Sequence, residues 1–226
     1  MNLALDIGNT AVKWATFDGR TMTDHGHGLP ADLMAKADSI MACASGKVPQ
    51  ALDDVPRLTA DTPLPLGLDY KTPATLGPDR IADACGAWSL HPGKPSLVID
   101  CGTCITLEFV SADGTYHGGA IMPGLAMSLR ALNAFTEKLP LLDSESVDKA
   151  PLLGRSTDEC ILAGTLGAAQ MALASFVASY HSAAPDLQVV VTGGDAQRII
   201  PPGAPGRQHV PGLSLIGLNE IMIHNQ

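Results

Sequence analysis

The segment LALDIGNTAVKWATFDGR at residues 3–20 is echoed by LVIDCGTCITLEFVSADGT at residues 97–115. Both segments contain an apolar strand that ends in Asp, a turn with Gly and Thr, a second β-rich strand and an Asp-Gly pair. Because an Asp-Gly pair beside such strands is typical of a tight turn, each segment is predicted to contain a β-hairpin. The repetition predicts a duplicated chain in which a hairpin opens each half.

The elements that follow the repeats complete two strand-and-helix halves. Strands are predicted at 39–44, 116–122 and 187–192, and helices at 79–90, 125–135, 157–181 and 215–224. Few periodic signals occur in the Pro-rich stretch over 49–73, and a Pro/Gly-rich loop is expected after residue 192. The HPGKP segment at 91–95 predicts a boundary between the halves 1–92 and 93–226. Strands followed by helices in both halves predict an α/β protein with mixed sheets.

Charge and composition narrow the choice of partner. The chain has 226 residues, of which 46% are hydrophobic, and its formal net charge is -9. This sign is wrong for binding a nucleic-acid backbone or lying on a membrane as a basic helix, so we expect a small molecule or another protein as partner. No secretory leader pattern is seen at the start, and the five cysteines are too few and too scattered for a disulfide framework. We therefore expect a cytoplasmic protein with reduced thiols.

The segment from Cys160 to Tyr180 carries no formal charge over a length that could span a bilayer. It is rich in Ala, Gly and Ser, contains Gln170, and is flanked by Asp158 and Glu159 without a basic cluster. These features argue against insertion into a membrane. We expect a helix that is buried in the core or at a subunit interface.

The first turn combines the groups that a phosphate needs. In Asp6-Ile7-Gly8-Asn9-Thr10, with Lys13 close behind, backbone N–H groups, a hydroxyl and a cation are brought into one small concavity. Gly8 permits close backbone approach, and Asp6 at the strand end can hold Mg²⁺ directly or through water. The alternative is an ordinary hairpin in which Asp and Gly serve only the turn.

The second turn, Asp100-Cys101-Gly102-Thr103, strengthens the phosphate interpretation, because two unrelated hairpins would seldom share Asp, Gly and hydroxyl positions. Two facing hairpins can enclose a triphosphate and its metal, which supplies the positioning and charge neutralisation that phosphoryl transfer needs. A third glycine turn at residues 192–195 follows an apolar strand and could receive the adenosine end. It could equally serve only to leave the sheet.

Two further patterns have spacings that occur in metal sites. Cys101-x-x-Cys104 lies within the second turn, and His25-Gly26-His27 lies after the first hairpin. Neither is accompanied by a second group of ligands nearby, so we expect no zinc or redox centre at the cysteines. We expect the histidine segment, residues 24–28, to form a solvated turn.

An ordered set of motifs then resembles one family. The motifs are Asp6-Ile7-Gly8-Asn9-Thr10, Gly77-Pro78-Asp79-Arg80, Asp100-Cys101-Gly102-Thr103, the GGAIMPG segment at 118–124, Gly154-Arg155-Ser156-Thr157 and Thr192-Gly193-Gly194. Together they resemble type III pantothenate kinases, of the acetate and sugar kinase, heat-shock chaperone and actin superfamily. The resemblance covers nearly the whole chain. It implies two duplicated ribonuclease H-like, or actin-like, halves with mixed sheets flanked by helices.

The resemblance also implies an activity. A protein of this family would use ATP-Mg to phosphorylate pantothenate to 4'-phosphopantothenate, the first step of coenzyme A biosynthesis. Potassium or ammonium is implied as a monovalent cation, and a homodimer is implied, with the uncharged helix at its interface. Two alternatives remain open here: a related kinase for another small hydroxylated metabolite, and a non-catalytic accessory transcription regulator.

On the same resemblance, site roles carry over to matching positions. ATP binding would fall to Asp6, Ile7, Gly8, Asn9, Thr10, Ala11, Val12, Lys13 and Thr103. Pantothenate binding would fall to Tyr70, Gly77, Pro78, Asp79, Arg80 and Thr157. Asp79 would be the general base, and Asp100 would hold the monovalent cation.

The residue types suit these implied roles. A primary alcohol is a poor nucleophile near neutral pH, so a carboxylate such as Asp79 can orient it and accept its proton. The planar fork of Arg80 matches a carboxylate, and Tyr70 adds a hydroxyl donor. As alternatives on capping grounds, Asp79 would be an N-cap for the helix after it, and Thr157 would belong to the start of a long helix.

Overall fold

The computed structural model describes residues 1–200 and 207–226. The strands are β1 (Asn2–Ile7), β2 (Val12–Asp18), β3 (Thr21–His27), β4 (Ser39–Ala44), β5 (Gly67–Leu68), β6 (Ser96–Cys101), β7 (Cys104–Val110), β8 (Thr115–Pro123), β9 (Gln188–Thr192) and β10 (Arg207–His209). The α-helices are α1 (Ala31–Met34), α2 (Pro78–Leu90), α3 (Leu125–Ala134), α4 (Thr157–Leu162), α5 (Ala168–Ala183), α6 (Ala196–Ile199) and α7 (Leu213–His224). Each predicted helix and strand is present, with bounds within two residues of the prediction. The predicted Pro/Gly-rich loop includes residues 201–206, which lie outside the described ranges.

The two sheets repeat one arrangement. In the four-stranded sheet, of order β3-β2-β1-β4, β1 pairs antiparallel with β2 and parallel with β4. In the six-stranded sheet, of order β10-β9-β6-β7-β8-β5, β6 pairs antiparallel with β7 and parallel with β9. Strands β1 and β6 therefore each lie between an antiparallel hairpin partner and a parallel partner. This confirms the predicted hairpins and the mixed sheets.

The predicted turn at residues 24–28 is wrong for most of its length. His25 and His27 belong to β3, an edge strand that pairs antiparallel with β2 and is largely exposed. Polar residues are tolerated there because only one edge of the strand is paired and its faces meet solvent. The Asp18-Gly19 turn that precedes β3 has the expected form, with Gly19 at φ 57°.

Helices α2 and α7 pack against each other between the sheets. Helix α7 lies against β1 and β4, although it comes from the end of the chain, while α2 lies against β6 and β7. The two helices approach very closely, because a Cβ atom on Gly217 would lie 1.7 Å from the carbonyl oxygen of Ala82. Nor would a Cβ on Gly86 fit, since it would lie 2.6 Å from the carbonyl oxygen of Leu213. The division into halves 1–92 and 93–226 stays a prediction.

The long helix runs as α4, one π-helical turn (Ala163–Gly167) and α5. Ser156 is its N-cap, accepting a hydrogen bond from the Glu159 backbone at 3.2 Å, as the capping pattern predicted. The helix is strongly apolar from Thr157 to Ala183, yet only 33% of its most apolar stretch is buried. By length and composition alone this helix could span a membrane. Most of this apolar stretch is therefore not covered by the rest of its own chain.

We predict that Gly217→Ala lowers the free energy of unfolding by about 2 kcal/mol or more, because the methyl group forces α2 and α7 apart. Gly164→Ala is the matched control, since a Cβ there meets no atom within 4 Å. The control is expected to be neutral or stabilising by up to about 1 kcal/mol, as Ala favours a helix. Urea denaturation followed by circular dichroism measures both. Equal stability of the two variants would contradict the close contact.

Candidate active site

The two Asp-x-Gly turns lie at corresponding ends of β1 and β6. Asp6 of β1 lies opposite Lys13 of β2, so a cationic residue is the cross-strand neighbour of this carboxylate. Asp100 pairs with Thr106 of β7 and with Thr192 of β9. Asp6 and Asp100 therefore occupy equivalent places in their sheets, as the repeat predicted.

Short backbone hydrogen bonds close both turns. The Gly8 N–H donates to the Ala11 carbonyl at 3.1 Å, and the Gly102 N–H donates to the Cys104 carbonyl at 2.9 Å. Asn9, Thr10 and Thr103 are exposed in these turns, so their polar groups are open to a ligand. This is the arrangement that the phosphate interpretation requires.

The Asp6 carboxylate is held by residues that sequence reasoning missed. The Cys43 thiol donates to its Oδ1 at 3.5 Å, and the Ser214 hydroxyl donates to its Oδ2 at 3.0 Å. Burial, and next the negative charge of Asp6, raise the pKa of Cys43 well above its ordinary value. The thiol therefore stays protonated and remains a donor. Strand β4 and helix α7 thus orient a carboxylate on β1.

The third glycine turn packs directly on the second. Gly193 has φ +95°, and a Cβ there would lie 2.4 Å from Oδ1 of Asp100. The Asp195 N–H donates to the Cys101 carbonyl at 2.9 Å, which fixes the two turns together. The turn at residues 192–195 therefore does more than leave the sheet, since it forms a wall beside Asp100.

Helix α2 presents Asp79 from its first turn. Its N-cap is Gly77 and Pro78 is the first helical residue, so the interpretation of Asp79 as the N-cap is wrong. Pro suits this position because the N–H that it lacks would have no partner within the helix. Oδ1 of Asp79 accepts a hydrogen bond from the Arg80 backbone N–H at 2.9 Å. The negative charge also lies at the favourable end of the helix dipole.

Asp83 is a further carboxyl group that sequence reasoning missed. It lies one helical turn after Asp79, is 3% exposed, and its Oδ1 has no hydrogen-bond partner among the described residues. Burial raises the pKa of Asp83 well above its ordinary value, and the charges of Asp100, Asp6 and Glu108 raise it further. The Asp83 carboxyl therefore belongs to the same negatively charged surroundings as Asp6 and Asp100. The four-residue spacing between Asp79 and Asp83 could have predicted this, because residues so spaced lie on the same face of a helix.

Asp100 responds to the same surroundings. Burial raises its pKa to about 7, against the lowering effect of the Lys13 ammonium group, and Asp6 and Asp79 add to the rise. The two strand turns and the first turn of α2 therefore share one electrostatic environment. It is rich in negative charge and has Lys13 as a nearby counter-charge.

Arg80 is largely buried and binds an internal carboxylate. Its Nε donates to Oε1 of Glu108 at 2.7 Å, and the Tyr116 hydroxyl donates to Oε2 at 2.6 Å. Burial opposes its charge, yet the hydrogen bond that Arg80 donates to Glu108, together with the negative charge of that carboxylate, raises the pKa of Arg80 above its ordinary value. Tyr70 packs on Tyr116 with ring centroids 5.9 Å apart. Part of the Arg80 fork is thus already engaged, and Arg80 and Tyr70 are brought together.

Thr157 stands apart from this group in a single chain. It is exposed at the start of α4, and in the described part of the chain no hydrogen bond joins it to residues around Asp79. Its assignment to the pantothenate pocket stays a prediction.

The residues present fit a metal that arrives with its nucleotide. Within residues 1–200 and 207–226, no group of three His, Cys, Asp or Glu side chains forms a ready metal cage. Mg²⁺ in kinases is commonly bound by one or two carboxylates together with phosphate oxygens and water, so such a cage is not required. Asp6, near the end of β1, supplies a carboxylate of that kind.

Solved structures share the architecture. A Baf family transcriptional activator from Campylobacter jejuni aligns with a TM-score of 0.64 at 19% identity, over 99% of this chain and 98% of its own. A ROK hexokinase from Thermus thermophilus aligns with a TM-score of 0.50 at 15% identity, over 99% and 97%. At such identities the likeness shows the fold alone. It confirms the ribonuclease H-like, actin-like fold that the motifs implied.

Sequence relatives identify the family. A family model described as type III pantothenate kinase matches residues 50–179, a range that includes Asp79 and Asp100. The type III pantothenate kinase of Phocaeicola vulgatus is 35% identical over 211 residues, which cover 86% of each chain. That of Cytophaga hutchinsonii is 34% identical over 236 residues and covers 100% of each chain. The chain belongs to the type III pantothenate kinase family.

Proposed function

We propose that this chain transfers the γ-phosphoryl group of ATP to the primary hydroxyl of pantothenate, which yields 4'-phosphopantothenate for coenzyme A biosynthesis. The observation that carries the proposal is the shared environment of Asp6, Asp79 and Asp100, in a member of this family. Two strand turns for a nucleotide and a separate carboxylate for an acceptor are the parts that a small-molecule kinase needs.

The nucleotide would lie between the strand turns. Residues 6–13 would bind the phosphates through backbone N–H groups and Lys13, and Thr103 would add a hydroxyl from the second turn. When bound, Mg²⁺ supplies positive charge that neutralises the phosphate oxygens. The exposed polar groups in both turns support this placement.

The acceptor would lie against the start of α2. Asp79 would accept the proton of the pantothenate hydroxyl as the new P–O bond forms, and Gly77 and Pro78 would line the approach. Arg80 and Tyr70 would bind the carboxylate end of the acceptor, and Thr157 would add a hydroxyl. The packing of Tyr70 beside the Arg80 network supports the shared role of these two residues.

Asp100 would bind a monovalent cation, potassium or ammonium. A buried carboxylate among other carboxylates is costly to ionise, so a cation at this place would offset both burial and repulsion. The neighbouring wall formed by residues 192–195 supports a small enclosed site there.

The proposal also covers the division of the chain into halves and the cellular compartment. The half 1–92 would carry the first phosphate turn and the Gly77–Arg80 motif, and the half 93–226 would carry the second phosphate turn and the long helix. The enzyme would work in the cytoplasm. Five free thiols in the described residues, three of them buried, suit a reducing compartment.

We expect Asp79→Asn to reduce kcat for pantothenate phosphorylation by about 100-fold or more, because the amide cannot accept the proton. Coupled assay of ADP release with Mg²⁺ and potassium measures the rate. The exposed Asp54→Asn is the control and should retain wild-type activity. A rate for Asp79→Asn within a factor of three of wild type would refute the general base.

Asp100 predicts a pH dependence of stability. Because burial raises the folded pKa of Asp100 to about 7, well above the ordinary range of an aspartate, its protonated form stabilises the fold fully below about pH 4. This contribution to stability is lost as pH rises through 7. In sodium- and potassium-free buffer, wild type should therefore lose Tm between pH 5 and pH 8 relative to Asp100→Asn, by about 3 °C.

The same variant tests the cation. Adding potassium at pH 8 should raise the Tm of wild type and leave Asp100→Asn unchanged, as differential scanning fluorimetry would show. An equal response of both proteins would place the cation elsewhere.

We propose a homodimer whose interface includes α5. Met171 is 55% exposed on this uncharged helix, which is apolar beyond what its own chain covers. Met171→Glu should shift the protein from dimer to monomer in size-exclusion chromatography with light scattering, since it would place a charge in an apolar contact. Leu29→Glu, at a residue 50% exposed after β3, is the matched control and should leave the dimer intact. A monomeric wild type would overturn the proposal.

A further inference from the structure

Glu108 is a fully buried carboxylate in the middle of β7, with 0% exposure. Isolated charges are not left in such places, because loss of hydration is very costly. Both of its oxygens are used: Oε1 accepts from Arg80 Nε at 2.7 Å, and Oε2 accepts from the Tyr116 hydroxyl at 2.6 Å. The two acceptor directions of Glu108 are thus fixed by residues on α2 and β8.

This pair connects two parts of the site. Arg80 follows Asp79 in the first turn of α2, and β7 is the strand that leaves the Asp100 turn. The Glu108–Arg80 contact therefore ties the acceptor side of the site to the strand that follows the proposed cation carboxylate. Its length of 2.7 Å is that of a strong charge-assisted hydrogen bond.

The contact also determines which nitrogens of the guanidinium group remain able to bind a ligand. Arg80 has five N–H donors in a rigid fork, and Nε supplies one of them. The four donors on the terminal nitrogens lie at the other end of the planar group, and the Tyr70 side chain is near enough to help raise the pKa of Arg80. A carboxylate that approaches this end can be bound by both terminal nitrogens.

The β7–β8 hairpin holds Tyr70 as well. The backbone N–H of Asp69 donates to the Tyr116 carbonyl at 2.9 Å. Tyr70 lies close enough to β8 that a Cβ on Gly118 would be 3.0 Å from its ring. One hairpin therefore positions both the Arg80 fork and the Tyr70 hydroxyl.

We propose that Glu108 is a positioning residue for acceptor recognition, which holds Arg80 by Nε and so presents its terminal nitrogens, beside Tyr70, to the carboxylate of the acceptor. This inference rests on the proposed function, because it takes the acceptor to be a carboxylate-bearing alcohol. A purely structural pair gives a weaker account, since buried ion pairs seldom stabilise more than apolar residues of similar volume.

The test compares three variants. Glu108→Gln keeps the size of the side chain and removes its charge, and Tyr116→Phe removes one hydrogen bond from Glu108 and keeps the aromatic ring. Glu220→Gln is the matched control, because Glu220 also binds an arginine Nε, that of Arg20, at 2.9 Å. Steady-state kinetics are measured for ATP, for pantothenate, and for the amide of pantothenate, which lacks the carboxylate charge.

Glu108→Gln should raise KM for pantothenate about 10-fold, with KM for ATP and kcat changed by less than about threefold, because a loosened fork affects only the acceptor. The preference for pantothenate over its amide should fall by a similar factor. Tyr116→Phe should show a smaller change in the same direction, which keeps the test decisive if Glu108→Gln does not fold. Glu220→Gln should match wild type.

Other outcomes overturn the inference. Parallel losses for ATP and pantothenate, or an unchanged preference over the amide in both site variants, would show that the pair serves the fold alone. If wild type phosphorylates neither acceptor, the proposed function itself fails and the inference falls with it. Wild-type activity with unchanged acceptor preference in the variants would refute only the role of Glu108.

Discussion

Repulsion among carboxyl groups is the constraint on which the site depends. Asp6, Asp79, Asp83, Asp100 and Glu108 all influence the same buried region. Glu108 is matched by Arg80, and Lys13 lowers the pKa of Asp100, yet that pKa still stays near 7 because burial and the other carboxylates outweigh the lysine. A site of this kind is suited to ligands that bring cations. Nucleotide-bound Mg²⁺ and a monovalent ion are such ligands, so the charges that disfavour the empty site would favour the loaded one.

The packing of α2 against α7 holds these carboxyl groups in place despite their mutual repulsion. Helix α7 returns from the end of the chain to the first sheet, where Ser214 binds Asp6 and the Asn219 side chain accepts from Asn2 at 2.9 Å. Helix α2 carries Asp79 and Arg80 against the second sheet. Because the helices meet through glycines with no room for a methyl group, the two sheets are held in a fixed relation. The turns that they carry are then positioned by packing rather than by attraction between like charges.

Much of this architecture was predictable, because it is written in local patterns. Apolar strands and Asp-Gly turns predicted that the hairpins are present, and apolar periodicity with helix-ending segments predicted the helices to within two residues. The partners of functional groups were not predictable in this way. Cys43, Glu108 and Ser214 each form a hydrogen bond to a site residue that is far away in sequence. Of the three, only Glu108 had a signal in the sequence, because a single charged residue inside an apolar strand suggests a buried charge. The edge strand β3 was missed because an exposed strand needs no apolar alternation.

The proposed mechanism requires that the two strand turns hold a nucleotide facing Asp79. A crystal structure of the protein with Mg²⁺, potassium and a non-hydrolysable ATP analogue would test this arrangement. We expect the triphosphate to lie between residues 6–13 and Thr103, with its terminal phosphate directed toward Asp79. A nucleotide bound away from either turn, or with its terminal phosphate directed away from Asp79, would contradict it.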